Sequence, residues 1–331
     1  MDLGDGNGPD GWLRRSVLRA GVTLAAAAGA GPIVTAQTQG RGDRLAGAAP
    51  LPDGVRRASA TVEGLELHYL EAGRGAPVLL LHGWPVTAYA WRKVMPAMAS
   101  RYRLIAPDMP GFGASDAPKS SDKREVARLM RQLMRRLGAE RVFVAGHDMG
   151  GPVGYAYAAQ WPAEVRRLAF IDTLIAGFGL EDMKAVGAWH MGLAMTPAPL
   201  PETLVARRER AFLDFFYDRG MPSKGALTAA DRAEYVRAYA LPGRFGPTFD
   251  YYRAFPHDAE HNRVFAQTKL AMPVLAVAAG RGVRTGADRF TGVAPDVREV
   301  VLEEAGHHVP DDAPEALARV LAGFFGEDGP R

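Results

Sequence analysis

Residues 145–151 read Ala-Gly-His-Asp-Met-Gly-Gly. A short apolar run, Arg141 to Ala145, leads in, and a Gly-rich helical pattern from Met149 to Gln160 leads out. Gly146-His147-Asp148-Met149-Gly150 has the spacing of a nucleophile elbow, where glycines flank a reactive side chain on a crowded, strained strand-to-helix turn. A serine there must lose a proton before it attacks, and it suits acyl carbon. A carboxylate is already anionic at neutral pH and needs no base. It can displace a leaving group from saturated carbon and form an alkyl ester that water then hydrolyses. Epoxides and carbon–halogen bonds fit that scheme; peptide cleavage does not need it. Read alone, the five residues also fit a packing turn, or an Asp that caps a helix.

Context supplies the partners. The loop "HGWP" (His82, Gly83, Trp84, Pro85) follows the apolar run "APVLLL", where an oxyanion loop would lie. A histidine pair, His307-His308, follows the last strand-like run in "VREVVLEEAGHH". Between these points strands and helices alternate. "RASATVEGLELHYLEAG" alternates around Glu63-Gly64 and predicts a β-hairpin. "APVLLLHG", "YRLIAPD", "RVFVAGHD", "VRRLAFIDT" and "MPVLAVAAG" are short apolar runs, as expected for strands covered on both faces of a parallel sheet. "AYAWRKVMPAMAS" is helical in composition with a break expected at Pro96. "KREVARLMRQLMRRLG" places Val126, Leu129, Met130, Leu133 and Met134 on one helical face before a Gly stop. The alternation predicts an α/β fold with right-handed crossovers and helices on both faces of a mostly parallel sheet. From Leu174 to about His261 the strand rhythm stops and helical patterns take over, which predicts an inserted helical cap. The core is then 56–173 and 262–331, and the cap 174–261.

Composition narrows the class. The chain has 331 residues, 47% hydrophobic and 23% charged, with a net charge of only +3 and no cysteine. It has ample core, no disulfide, no thiol nucleophile and no thiolate metal site. No basic run or zinc finger points to nucleic acid. No Asp/His pattern has metal-ligand spacing, so neither metal nor cofactor is implied. "DMPGFGASD" contains Gly-x-Gly, but it opens no dinucleotide fold and reads as a loop.

The pieces "LLLHGWP", "DMPGFGASD", "GHDMGG", "AGHHVPDDAPE" and "DYYRAFP" stand in an order and spacing that resemble the α/β-hydrolases from about Ala58 to the C-terminus. Within that superfamily the chain resembles the epoxide hydrolases and the haloalkane and haloacetate dehalogenases, the former more closely. The resemblance implies Asp148 as nucleophile, His307 as the base that activates water, and Asp172 as the acid that orients it. Asp288 is the alternative acid, and His308 is expected to point elsewhere. Backbone N–H groups of Trp84 and Met149 are the expected oxyanion donors. A His–Tyr pair, His190 and Tyr252, is implied as the ring-opening donors, with Tyr251 the neighbouring alternative. Three positions depart from the dehalogenases. Met149 and Pro152 stand where haloacetate dehalogenases place arginines, and haloalkane dehalogenases usually have Trp at the Met149 position. Met191 stands where a halide-binding Trp would follow the cap His. The implied partner is a small apolar epoxide, with an organohalide as the alternative. A non-catalytic binding protein on the same fold is a remote third reading. A homodimer remains open.

The N-terminus carries its own signal. "LRRSVLRAG" holds Arg14-Arg15, followed by a weakly apolar Ala/Gly stretch and Val34-Thr35-Ala36 before Gln37. This resembles a twin-arginine export signal over 1–36, and implies a periplasmic or secreted protein. The stretch is too short, too rich in Ala and Gly, and too interrupted at Pro32 to be a membrane anchor. Residues 37–55 read as a linker.

Overall fold

The computed structural model describes residues 44–181, 188–220, 223 and 225–327. The proposed export signal, 1–36, lies outside them. The first alternating stretch forms the expected hairpin, β1 (Val55–Val62) paired antiparallel with β2 (Leu65–Ala72). Its two turn residues, Glu63 and Gly64, both have positive φ, as a two-residue hairpin turn matched to strand twist requires.

The apolar runs become β3 (Ala76–Leu81), β4 (Tyr102–Pro107), β5 (Val142–His147), β6 (Val165–Ile171), β7 (Val274–Ala279) and β8 (Val297–Leu302). They join the hairpin in one eight-stranded sheet of order β1-β2-β4-β3-β5-β6-β7-β8, parallel from β4 onward. Burial explains why the central runs are apolar throughout. Leu79 and Leu81 enter one core and Val78 and Leu80 the other, so successive side chains serve opposite faces.

The expected helix after "HGWP" divides. Ala88–Lys93 is a 3-10 turn and α1 (Met95–Met98) is a single α turn with Pro96 in its first turn. The proline lacks the N–H that a continuous helix would need, so the chain restarts there. α2 (Lys123–Arg136) is capped by Asp122, whose side chain accepts the Glu125 N–H, and stops before Gly138 at positive φ. Its stripe of Val126, Leu129, Met130, Leu133 and Met134 is buried against the sheet and α3 (Gly150–Gln160).

The cap follows β6: α4 (Trp189–Met195), α5 (Leu200–Val205), α6 (Glu209–Gly220), α7 (Ala229–Ala240), α8 (Phe245–Arg253) and α9 (Phe255–Phe265). Its last helix runs four residues past the expected boundary at 261. A buried ionic knot ties cap to core. Arg92 reaches Asp231 of α7 at 2.8 Å and Asp311 at 2.5 Å, and the Tyr235 hydroxyl donates to Asp311 at 2.6 Å. Asp311 belongs to α10 (Val309–Asp312), which precedes α11 (Pro314–Gly326) on the opposite face of the sheet from α2 and α3.

Part of the stretch read as linker is fastened down. Arg44 donates to Asp116 at 2.7 Å and to the Ala114 carbonyl at 3.0 Å. The Ala49 N–H donates to Glu234 at 2.9 Å, and Arg237 donates to the Arg44 carbonyl at 2.6 Å. Residues 44–49 therefore form a strap from the core loop at Ala114 to α7 of the cap. Among the described residues no helix is long and apolar enough to cross a membrane.

Candidate active site

The sheet order reverses at β3, so the carboxyl ends of β3 and β5 open a crevice where open α/β sheets bind ligands. β5 delivers Asp148 into it with φ of 48°, a left-handed conformation that Asp tolerates better than most residues. The turn is packed without slack. A Cβ on Gly146 would come within 2.3 Å of the Gly150 carbonyl, and one on Gly83 within 2.5 Å of the Asp148 Cβ. The Thr173 hydroxyl donates to the Asp148 carbonyl at 2.6 Å and braces the turn from β6.

Asp148 is held through both oxygens. The Trp84 N–H donates to Oδ1 at 2.7 Å, and His307 Nε2 lies 3.3 Å from Oδ2. On its other side His307 Nδ1 meets Asp172 Oδ2 at 2.7 Å. Asp172 ends β6 and is fixed in turn. Its carboxylate accepts N–H groups from Ala279 at 3.2 Å, Val283 at 2.9 Å and Arg284 at 3.0 Å. The Asp148 side chain keeps 25% of its surface exposed and Asp172 keeps none, so one carboxylate can meet a ligand and the other cannot.

The charges follow from this wiring. Burial alone would raise the Asp148 carboxyl. The His307 hydrogen bond and charge, nearby His147 and the Trp84 N–H outweigh it and hold Asp148 well below the usual carboxylate range. Burial would likewise lower His307, but hydrogen bonds and charge from Asp148 and Asp172 raise it to about 10. The resting site is thus an imidazolium between two carboxylates.

His82 and Pro85 stiffen the oxyanion loop. His82 is buried, with Nδ1 2.8 Å from the Gly83 carbonyl and Nε2 accepting the Met109 N–H at 3.0 Å, which fixes its tautomer. The Pro85 carbonyl accepts the Tyr217 hydroxyl of α6 at 2.8 Å. Met149 caps the start of α3 beside Asp148 and lines the cavity.

That cavity is about 240 Å³, between the elbow and the cap. Pro152, Leu174, Leu180, Met191, Phe216 and Phe255 make its apolar wall, which Trp84, His190 and Tyr252 share with Asp148. Trp84 stacks on His190 with ring planes 2° apart and centroids 5.8 Å apart. Tyr252 stands edge-on to Trp84 at 5.6 Å. Burial and the Asp148 charge push the Tyr252 hydroxyl well above its ordinary value, so it stays protonated, and burial lowers His190. Neither makes a side-chain hydrogen bond among the described residues, so both are available to a ligand.

The alternative residues lie in different places. Tyr251, one residue away on α8, points into the core and donates to the Pro110 carbonyl at 2.8 Å. Asp288 sits exposed on a 3-10 turn beside Arg289. His308 is buried against Tyr217 and His147. The sequence reading missed His147. It is buried beneath the elbow, and its Nε2–H donates to the His307 carbonyl at 2.7 Å, which fixes the His307 backbone. Burial and the His307 charge lower it to about 4, so it is neutral. It also missed one group of metal-capable atoms. Asp122, Asp258 and His261 bring ligand atoms within 4.8 Å of one another, but the Lys123 ammonium already pairs with Asp258 at 2.9 Å. Asp258 and His261 come from α9, far along the chain from Asp122, so no local spacing signalled the group.

Comparison with known proteins agrees with this architecture. The family model for the alpha/beta hydrolase fold matches residues 76–314. A soluble epoxide hydrolase of Corynebacterium sp. (strain C12) is 32% identical over 80% of this chain and 96% of its own length. A fluoroacetate dehalogenase of Burkholderia sp. is 28% identical over 83% and 95%. The crystal structure of Cfl2 from Burkholderia cenocepacia superposes with a TM-score of 0.78 at 39% identity, covering 82% of this chain and 96% of that one. The chain belongs to the α/β-hydrolase family, in the group that contains epoxide hydrolases and dehalogenases. It is a hydrolase of that superfamily.

Proposed function

We propose that the protein opens an epoxide to a vicinal diol through a covalent ester on Asp148. The observation that carries this reading is the division of labour at Asp148. Oδ1 is engaged by the Trp84 N–H at 2.7 Å, whereas Oδ2 has only the longer 3.3 Å contact with His307 Nε2 and is the oxygen that attacks, while the Tyr252 hydroxyl stands across the cavity with no hydrogen-bond partner among the described residues. Oδ2 forms a bond to one epoxide carbon as its C–O bond breaks. The oxygen takes the electron pair and receives a proton from Tyr252, with His190 as its companion donor. Alkylation removes the Asp148 charge, so the His307 pKa falls and its proton is released, which balances the one Tyr252 has lost. Neutral His307 then takes a proton from water as the water attacks the ester carbon. Oδ1 becomes the oxyanion, stabilised by the N–H groups of Trp84 and Met149. Such donors are worth roughly 3–4 kcal/mol each in acyl chemistry. Collapse releases the diol and restores the carboxylate.

A second reading has one observation in its favour. The buried Trp84 indole N–H has no hydrogen-bond partner among the described residues, and a departing halide would give it one. Met149, Pro152 and Met191 count against it, because they occupy the places where dehalogenases put arginines or a tryptophan. A panel of epoxides and organohalides with diol and halide readouts separates the two. His307→Gln should gain one substrate mass on Asp148, and wild-type single turnover in heavy-oxygen water should label Asp148 before the diol. Direct entry of label into the diol, with no adduct on His307→Gln, would overturn the covalent mechanism.

Export by the twin-arginine route is a separate proposal and rests on Arg14-Arg15. Cell fractionation should find a chain that starts near Gln37 outside the cytoplasm. An unshortened cytoplasmic chain, indifferent to replacement of both arginines by Lys, would end it.

A further inference from the structure

We infer that the mouth of the cavity is a carboxylate-binding subsite built on Arg219 and Arg284, and that the substrate is an epoxide with a carboxylate at its far end. The inference rests on the epoxide reading above and goes on to name the substrate class.

A second cavity of about 490 Å³ adjoins the first and shares Leu174, Arg219, Gly220, Val283 and His307 with it. Its wall holds four arginines, Arg219, Arg281, Arg284 and Arg289, and no carboxylate among the described residues. Two of them have acidic neighbours: Arg281 pairs with Glu304, and Arg289 lies 3.7 Å from Asp288. Arg219 and Arg284 pair with no carboxylate among the described residues. Arg219 rests its guanidinium over the Phe215 ring at 3.9 Å, which leaves its N–H edge free to donate.

Arg284 is tied to the chemistry by its backbone. Its N–H donates to the Asp172 carboxylate, and the next residue, Thr285, accepts the Thr173 N–H at 3.1 Å. A segment pinned at both points presents its side chain from a fixed base, so less freedom is lost on binding. Guanidinium forks match a carboxylate through paired hydrogen bonds, and the positive charge of Arg219 and Arg284 attracts anions to the entrance.

The two cavities together therefore sort a substrate along its length. The inner wall is apolar and suits a hydrocarbon chain; the mouth suits an anion. A carboxylate on the reacting carbon itself would lie against the anionic Asp148 and be repelled. One a chain's length away meets the arginines.

The test uses terminal ω-epoxyalkanoates of increasing chain length and their methyl esters, compared by kcat/KM. At the best length the acid should exceed the ester by about 5- to 20-fold, the scale of two partly solvated ion pairs. The preference should shrink as salt is added. It should collapse toward unity in the Arg219→Gln/Arg284→Gln pair and reverse in Arg284→Glu. Arg281→Gln, whose arginine already pairs with Glu304, should retain the preference. Equal rates for acid and ester at every length, or a preference that survives the double variant, would overturn the subsite.

Binding of octanoate and of octanol, measured by calorimetry, reads the subsite without turnover. Octanoate that binds wild type better than the double variant, with no epoxide opened, sustains the subsite and removes the epoxide reading. Octanoate that binds both alike removes the subsite.

Discussion

The sheet side and the cap side of the cavity are built on opposite terms. On the sheet side the two carboxylates and His82 are satisfied within the protein. Asp148 has Trp84 and His307, Asp172 has His307 and three backbone N–H groups, and His82 bridges a carbonyl and an amide. On the cap side the wall is aromatic, and Tyr252 and His190 have no side-chain hydrogen-bond partner among the described residues. Groups already satisfied before a ligand arrives cost no reorganisation when charge shifts among them. Groups left open are completed only by a ligand. In the proposed reaction the sheet side supplies the attacking and water-activating groups, and the cap side the groups that meet the leaving oxygen.

Breaking the sheet side should have the largest effect. Asp148→Asn lacks the anion, so turnover should drop by about 10⁴-fold or more, with no adduct in intact mass. Asp172→Asn leaves His307 present but poorly oriented. Ester hydrolysis should slow by about 10²–10⁴-fold while ester formation continues, giving partial adduct accumulation.

On the cap side, Tyr252→Phe should slow ester formation by about 10²–10⁴-fold and leave ester hydrolysis intact, as single-turnover alkylation would read. Its neighbour sharpens the contrast. Tyr251→Phe loses only the bond to the Pro110 carbonyl, so it should cost about 1–3 kcal/mol of stability and keep turnover. Equal kinetic losses at the two tyrosines would dissolve the distinction between the walls.

The smallest effect is in titration. In the resting protein His307 is raised to about 10, first against burial and then by its two carboxylates. Removing one carboxylate in Asp148→Asn should lower it, visible by NMR. The sign for stability follows. A folded pKa above the ordinary 6.5 means that the pairing stabilises fully below pH 6.5 and fades as pH rises toward 10. The melting-temperature advantage that this pairing gives wild type over Asp148→Asn should shrink across that window.

Much of the sheet side was legible in the sequence because it is local. The hairpin turn, the apolar runs and the glycine-flanked Asp148 each follow from a few consecutive residues. The cap side was legible only in part. Tyr251 and Tyr252 are successive on α8 and point about 100° apart. Which one enters the cavity depends on how the helix is rotated against its neighbours. His147 escaped notice because its role is a hydrogen bond to a carbonyl 160 residues away. The arginine mouth draws on α6 and on the loop after β7, which no spacing rule connects. The helix break at Pro96 was visible, since proline acts on its own backbone.

The strap of residues 44–49 has a consequence for where the chain can be cut. Cleavage before Gln37 would leave every contact of Arg44 and Ala49 in place. Removal through Ala49 would strip Glu234 of the Ala49 N–H and Arg237 of the Arg44 carbonyl, and take the Arg44 guanidinium from Ala114 and Asp116. The cap would keep the buried Arg92 knot and the Tyr217 and Tyr251 bonds to the core, but lose its tie through the N-terminal strap. Processing at 36 and trimming at 49 thus differ in kind. The first shortens the chain, and the second unfastens the roof of the reaction chamber, which a protease would detect as faster nicking between α6 and α7.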